Sequence, residues 1–282
     1  MSGAAYAGAA ARPAAPGRRA GGAGRIAARL RAGIATLLLP LLVPAALLLL
    51  WSVASDRGWL PAQILPAPGL VRDTLLDLWR SSDLTRDAGI SLGRVAQGFA
   101  LGGALGLLLG AAMGLSRTAE DYLKPLLTAL AQVPTIGWVP LLMLPLGIGE
   151  TLKVAIIAKA ALVPVVLNTL AGIRAVPPAL FEVAAVFRYT RAQLLGRVLL
   201  PAAVPPLFAG LRLGLTNAWK ALVAVELLAS SEGLGYQLVW GRQMMQMDVV
   251  IAAMVVIAAF GLLLDAGLGR VERRLQRWRV AA

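Results

Sequence analysis

Long apolar runs constrain this chain more than any other feature. A helix needs about 20 mostly apolar residues to cross a bilayer core about 30 Å thick. Six stretches meet that need: 34–54 (IATLLLPLLVPAALLLLWSVA), 89–115, 124–147, 152–172 (LKVAIIAKAALVPVVLNTLAG), 207–229 and 248–269. None has the period-two alternation of a barrel strand. Of 282 residues, 59% are hydrophobic and 15% charged, against about 45–50% and about 25% in soluble domains. That leaves too little polar surface to cover six such runs in a soluble helical protein. The expected fold is all-α, a polytopic membrane protein with six transmembrane helices.

Cysteine and histidine are both absent, which removes disulfides, thiol nucleophiles, the usual Cys/His zinc sites and histidine acid–base chemistry. No metal site is expected. The net charge of +13 suggests either nucleic-acid binding or membrane topology, and its distribution decides. With the N-terminus inside, the inner segments 1–33, 116–123, 173–206 and 270–282, with Lys124, hold 17 Lys/Arg and four acids. The outer segments hold six Lys/Arg and eight acids. By the positive-inside rule both termini face the cytoplasm. The basic surplus is an orientation signal, so the bilayer and not a nucleic acid is the expected partner.

The expected organisation follows. Residues 1–33, Ala/Gly/Pro/Arg-rich with six Arg and no acid, read as a disordered cytoplasmic tail; an uncleaved signal-like start and an organellar transit peptide are the alternatives. Then come the first transmembrane helix (34–54), an extracytoplasmic loop (55–88), a transmembrane core (89–269) interrupted by a cytoplasmic loop at about 173–206, and a basic cytoplasmic tail (270–282).

The second span carries Gly98, Gly102, Gly106, Gly110 and Gly114. Small residues at four-residue spacing let helix backbones approach closely, which matters in lipid where no hydrophobic drive joins helices. This predicts a tightly packed, central helix. The third span is broken by Pro125, Pro134, Pro140 and Pro145. Backbone groups freed by proline at membrane depth are tolerated only against protein or a wet cavity, so this span is expected beside a pathway.

Ionisable residues inside spans are functional-site candidates. Here they are Arg94, Lys159, Arg212, Lys220, Glu226 and Asp265. Lys220 and Glu226, six residues apart, lie on different helix faces. Two readings remain open: a structural Lys159–Glu226 contact across helices, or Lys159 or Lys220 facing the pathway and attracting an anion. Asn168 joins these three as a candidate pathway residue. Arg212 lies near the inner end and is placed to snorkel. Glu226 and Asp265 form no obvious dyad, which disfavours an intramembrane enzyme.

The segment AVPPALFEVAAVFRYTRAQLLGRVLLPAAVPPLFAGLRLGL (175–215) predicts two short amphipathic helices. Pro177 and Pro178 suit a helix start, Phe181, Ala184 and Ala185 form one apolar face, and Leu194, Leu195, Val198 and Leu199 form the second. Pro201 is expected to stop the second helix. Such a loop suits docking to a partner or, with Arg188, Arg191 and Arg197, lying flat on the membrane.

This loop resembles the EAA loop of binding-protein-dependent ABC importer permeases. That family has a Glu-Ala-Ala start, a Gly six residues after the Glu, and a Leu-Pro near position nineteen. Here Glu182 precedes Ala184 and Ala185, and Pro201 lies nineteen residues on. The segments ILPAPGLVRDTLLDL (64–78), SLGRVAQGFALGGALGLLLGAAMGLS (91–116), LGIGE (146–150) and VPVVLNTLAGI (163–173) are similar to the nitrate/sulfonate/taurine branch. Val183 replaces the second residue of the Glu-Ala-Ala, Arg188 stands at the Gly position, Pro145 stands where the family often has an aromatic, and Lys159 and Lys220 stand where apolar residues are expected. Arg188 puts the turn between the two loop helices in question.

The resemblance implies a type I importer permease and not an enzyme. It implies pairing with a second permease, usually an identical copy, in the bacterial inner membrane. Two ATPase subunits would dock on the coupling loop, around Phe181, Glu182, Ala184, Ala185, Arg188 and Arg191, and an extracytoplasmic solute-binding protein would deliver a small anion. The chain has no G-x-x-x-x-G-K-[ST] phosphate loop, since none of its four lysines follows a glycine. ATP is therefore expected on the partner subunit, with no cofactor on this chain. A channel or secondary transporter working alone would be favoured by internal repeats, and no convincing repeat is present.

Overall fold

A computed structural model describes residues 42–276. The tail 1–33, the start of the first expected span and residues 277–282 lie outside the described residues. The chain divides into two units, 1–57 and 58–282. In the first, the described part is one helix, α1 (Leu42–Asp56).

The second unit is all-helical among its described residues. It contains α2 (Pro68–Arg80), α3 (Asp83–Leu115), α4 (Arg117–Gln132), a 3₁₀ turn (Thr135–Gly137), α5 (Trp138–Leu146), α6 (Glu150–Arg174), α7 (Pro178–Val186), α8 (Arg191–Leu194), α9 (Leu200–Ala229), α10 (Leu234–Gln243) and α11 (Met247–Leu275). Four helices among the described residues are long and apolar enough to cross a membrane, or five if the bent pair α4 and α5 forms one span. At a rise of 1.5 Å per residue, α3 extends about 50 Å and α6 about 37 Å.

The core is three helices. α6 lies between α3, which runs parallel to it, and α9, which runs antiparallel. A Cβ built on Gly98, Gly106, Gly110 or Gly114 would come within 2.5–2.8 Å of Ile157, Val165, Thr169 or Ile173, and one on Gly102 would strike the backbone carbonyl of Ala158. The glycines of α3 thus form the seat of α6. A second seat lies on α9, where Gly210 meets Asn168 and Gly214 meets Val165. The more enclosed helix is α6 and not α3: half of its span is buried, against 39% for α3. Glycines mark the surface that is approached, while the helix that enters carries the larger side chains.

The third expected span is not one helix. Pro134 drives Val133 into extended geometry (φ −83, ψ 117), α4 ends, and the chain turns by 90° into α5. α5 closes at Gly147 (φ 69, ψ −176), a conformation that side chains with a Cβ avoid.

Pro201 does not stop a helix, contrary to expectation. Residues Arg191–Ala229 form one continuous helical rod. A π turn at Leu195–Leu199 lets Leu200 N–H reach Leu195 O, and this local widening accommodates the proline that follows. Pro201 therefore lies inside the rod, two residues after the widened turn, which leaves room for its ring where an unbroken α-helix would clash. The loop's second helix is in this way an extension of a spanning helix.

Candidate functional site

Four places in the second unit bear on function: a buried ion network, the break between α4 and α5, a cavity beside α9, and the exposed loop at α7.

The network is centred on Arg94, which is 2% exposed on α3. Its Nε and Nη2 grip both oxygens of Glu150 at the start of α6, at 2.7 and 2.6 Å. Nη1 donates to Glu226 Oε1 on α9 at 2.8 Å and to the Glu232 carbonyl at 3.0 Å. Nη2 also reaches Glu232 Oε1 at 3.1 Å. Glu226 is fully buried and accepts from Ser91 Oγ (2.8 and 3.0 Å) and from Gly235 N–H (2.8 Å). Asp87 accepts from Gly233 N–H at 3.1 Å and from Gln237 Nε2 at 2.5 Å. Lys153 donates to Glu150 at 2.7 Å. Gly233 adopts φ 104, and a Cβ there would strike the Glu226 carboxylate. The loop after α9 can therefore wrap this carboxylate only with glycine at that position. The network ties α3, α6, α9 and α10 together at one end of the bundle. A buried ion pair is tolerated when each charge is fully hydrogen-bonded, and Arg94 and Glu226 both meet this condition.

The candidate pathway residues have separate surroundings. Glu226 does not meet Lys159: its cation is Arg94. Lys159 instead donates from Nζ to the Val133 carbonyl at 3.1 Å and lies 5.2 Å from the Trp138 ring centroid. It caps the carbonyl freed where α4 ends and makes a cation–π contact with the first residue of α5. Lys220 is exposed on α9, at the edge of a cavity of about 640 Å³ lined by Thr216, Trp219, Val223, Met254 and Asp265 among others. Asn168 Nδ2 donates to the Pro164 carbonyl within its own helix at 2.8 Å. Arg212 has a protein partner. It grips Asp265 on α11 with two bonds of 2.7 Å, so Asp265, without a partner in the sequence reading, is half of an ion pair between α9 and α11.

The loop carries an exposed helix. Pro177 holds the position before α7 in extended geometry and Pro178 occupies its first turn. Ala184 is buried, while Phe181, Val183, Val186 and Phe187 are 37%, 53%, 80% and 69% exposed, with Glu182, Ala185 and Arg188 exposed among them. α7 ends with Arg188 at φ 51. Tyr189 N–H bonds to Ala184 O at 2.9 Å and Arg188 N–H to Ala185 O at 3.0 Å, the Schellman pattern. The bend expected of glycine is therefore present with arginine in the left-handed region. Arg191 follows in α8, capped by Thr190 and Gln193 in a capping box. Left-handed geometry costs a side-chain-bearing residue about 1–2 kcal/mol. Arg188→Gly is accordingly expected to raise the thermal midpoint of the purified protein; a lowered midpoint would mean that the arginine side chain itself holds the loop.

Two features were missed in the sequence reading. Arg94 stood as an unassigned in-span cation, and Asp87, Glu150 and Glu232 as outer-loop charges, because partners 56–138 positions apart leave no local pattern. The Gly210 and Gly214 seat was legible by its four-residue spacing and was overlooked.

Comparison with known proteins places this geometry. Residues 102–277 match the family described as "Binding-protein-dependent transport system inner membrane component". The chain is 40% identical over 239 residues to SsuC of Bacillus subtilis, a protein named for aliphatic sulfonates transport, covering 85% of this chain and 87% of that one. It is 34% identical to the taurine transport system permease protein TauC of Escherichia coli (83% and 87% covered) and 32% identical to the bicarbonate transport system permease protein CmpB of Synechococcus elongatus (86% and 89%). Among solved structures, the inward-facing MetNI methionine ABC transporter shares the fold at TM-score 0.55 and 18% identity, over 66% of this chain and 92% of that one. An amino acid ABC transporter does so at TM-score 0.57 and 16% identity, over 73% and 98%. The chain belongs to the binding-protein-dependent inner-membrane permeases of ABC importers, multi-pass transport subunits that are not themselves enzymes.

Proposed function

We propose that this permease receives a small anion of the sulfonate, nitrate or taurine kind from an extracytoplasmic solute-binding protein and passes it across the inner membrane by alternating access. It works as a pair of identical copies with two ATPase subunits bound at the cytoplasmic face. The relatives' names support the substrate class, since aliphatic sulfonates, taurine and bicarbonate each present an anionic head. The charge distribution supports a six-span arrangement with both termini cytoplasmic. ATP is bound by the partner and no cofactor by this chain.

The exposed apolar face of α7 carries this reading. Four large apolar side chains on a helix of nine residues are costly unless a partner covers them. Phe181, Glu182, Ala185, Arg188 and Arg191 form the ATPase-coupling surface, while Ala184, expected among them, is buried and seats α7 on the rest of the chain. α8 continues through the π turn into α9, so force applied to the loop reaches a spanning helix directly. Glu182→Lys combined with Ala185→Asp is expected to leave the bundle folded and ATP hydrolysis active, and to abolish uptake in proteoliposomes. Unchanged coupling would show that the partner docks elsewhere.

Lys159 and Lys220 are the candidate pathway cations and Asn168 the candidate pathway amide, while Glu226, enclosed by Arg94, Ser91 and Gly235, braces the helices beside them. Lys159→Ala and Lys220→Ala are expected to lower anion uptake at least several-fold while the assembled complex is still recovered in normal yield. Normal uptake in both variants would remove the lysines from the pathway.

A further inference from the structure

The segment 59–80 lies within the loop expected at 55–88, between the two units' boundary and α3. It contains α2, whose two faces have different fates. Val71 is buried, Leu75 and Leu78 pack against the core of the bundle, and Thr74 donates to Asp248 at the start of α11 at 2.6 Å. This face is anchored. Leu70 and Trp79 flank that face and are 50% and 63% exposed, Leu76 lies on the outer face between Arg72 and Arg80 and is 46% exposed, and Trp59, Leu60 and Ile64 just before the helix are 59%, 45% and 59% exposed.

We infer that α2 with Trp59 and Trp79 forms an interfacial collar that seats this end of the bundle in the headgroup layer of the bilayer. Three observations select a lipid surface over a protein partner. The first is depth. Only two residues separate Arg80 from Asp83, where the long apolar helix α3 begins, and Thr74 is bonded to the first turn of α11. α2 is thus held at the level where two spanning helices leave the hydrocarbon. The second is side-chain type. Tryptophan, with an apolar body and one N–H donor, is enriched at this level of membrane proteins. The third is charge. Arg72 pairs with Asp73 at 2.8 Å and Arg80 with Asp77 at 3.5 Å, so the helix offers no net charge to steer a protein partner, while its wide apolar arc suits partial burial among acyl chains.

The test uses the full permease–ATPase complex, labelled with fluorotryptophan and placed in nanodiscs of phosphatidylethanolamine and phosphatidylglycerol. The Trp59→Phe and Trp79→Phe variants assign the two ¹⁹F signals, and buried Trp219 serves as the reference. Headgroup-nitroxide lipid is expected to broaden the Trp59 and Trp79 signals several-fold more than that of Trp219. A water-soluble gadolinium chelate is expected to broaden them little. Strong broadening by the chelate with none from the nitroxide lipid overturns the collar. So does broadening by the chelate that the solute-binding protein removes, which would assign α2 to that protein instead.

Discussion

Replacing Arg94 by methionine is expected to be the most damaging single substitution in the described residues. The side chain makes six hydrogen bonds, to Glu150, Glu226, Ser230 and Glu232, and it is the cation of the fully buried Glu226. Its loss leaves that carboxylate with only Ser91 and Gly235, and frees the start of α6 and the loop after α9 together. Removing one partner of a buried pair costs about 3–5 kcal/mol, largely through the uncompensated charge that stays behind. The exposed pair Arg72–Asp73 sets the opposite limit, since surface pairs contribute about 0–1 kcal/mol. Purified Arg94→Met protein should therefore show a thermal midpoint well below wild type, and Arg72→Met should not. The double variant Arg94→Met, Glu226→Met should recover part of the loss by removing the stranded charge. An Arg94→Met protein of unchanged midpoint, or a double variant whose loss equals the sum of the Arg94→Met and Glu226→Met losses, would show that the network does not hold the helices.

The second large effect is expected from one methyl group. Gly102→Ala places a Cβ against the backbone carbonyl of Ala158. A backbone atom in a helix cannot step aside as a flexible side-chain end can, so α3 and α6 must separate. Overpacking of this kind costs about 1–3 kcal/mol, occasionally more. Gly93, nine positions earlier on the same helix, has no atom within 4 Å of an added Cβ. There the same change removes a glycine from a helix interior and is worth up to about 1 kcal/mol in the opposite direction. The two variants should thus shift the midpoint in opposite senses. Equal shifts would mean that the stripe is not the packing seat.

The legible parts of the molecule were those encoded locally. Apolar run length set the positions of α3, α6, α9 and α11, although α3 begins at Asp83 and α11 continues to Leu275. Of the four prolines expected to break the third span, Pro134 does so, while Pro125 lies inside α4 and Pro140 and Pro145 inside α5; Pro177 and Pro178 announced the start of α7. The boundary at Pro201 was misread because a proline stops a helix only where its ring meets a regular turn, and a π turn ending two residues upstream widens the helix there. Lys159 and Glu226 looked alike in the sequence as charges inside spans. In the structure one caps a broken helix and the other is enclosed by an arginine, a serine and two glycines.

The sequence by itself determined that this is an all-helical membrane protein, because apolar run length and proline position act over a few turns of helix, and the spacing from Glu182 to Pro201 carried the resemblance to importer permeases. Only the tertiary structure decided which charges are paired, which helix is enclosed, and that Arg188 holds a glycine's bend. Those outcomes rest on contacts between residues tens to more than a hundred positions apart, or on backbone angles imposed by the surrounding hydrogen bonds, and no local pattern encodes either.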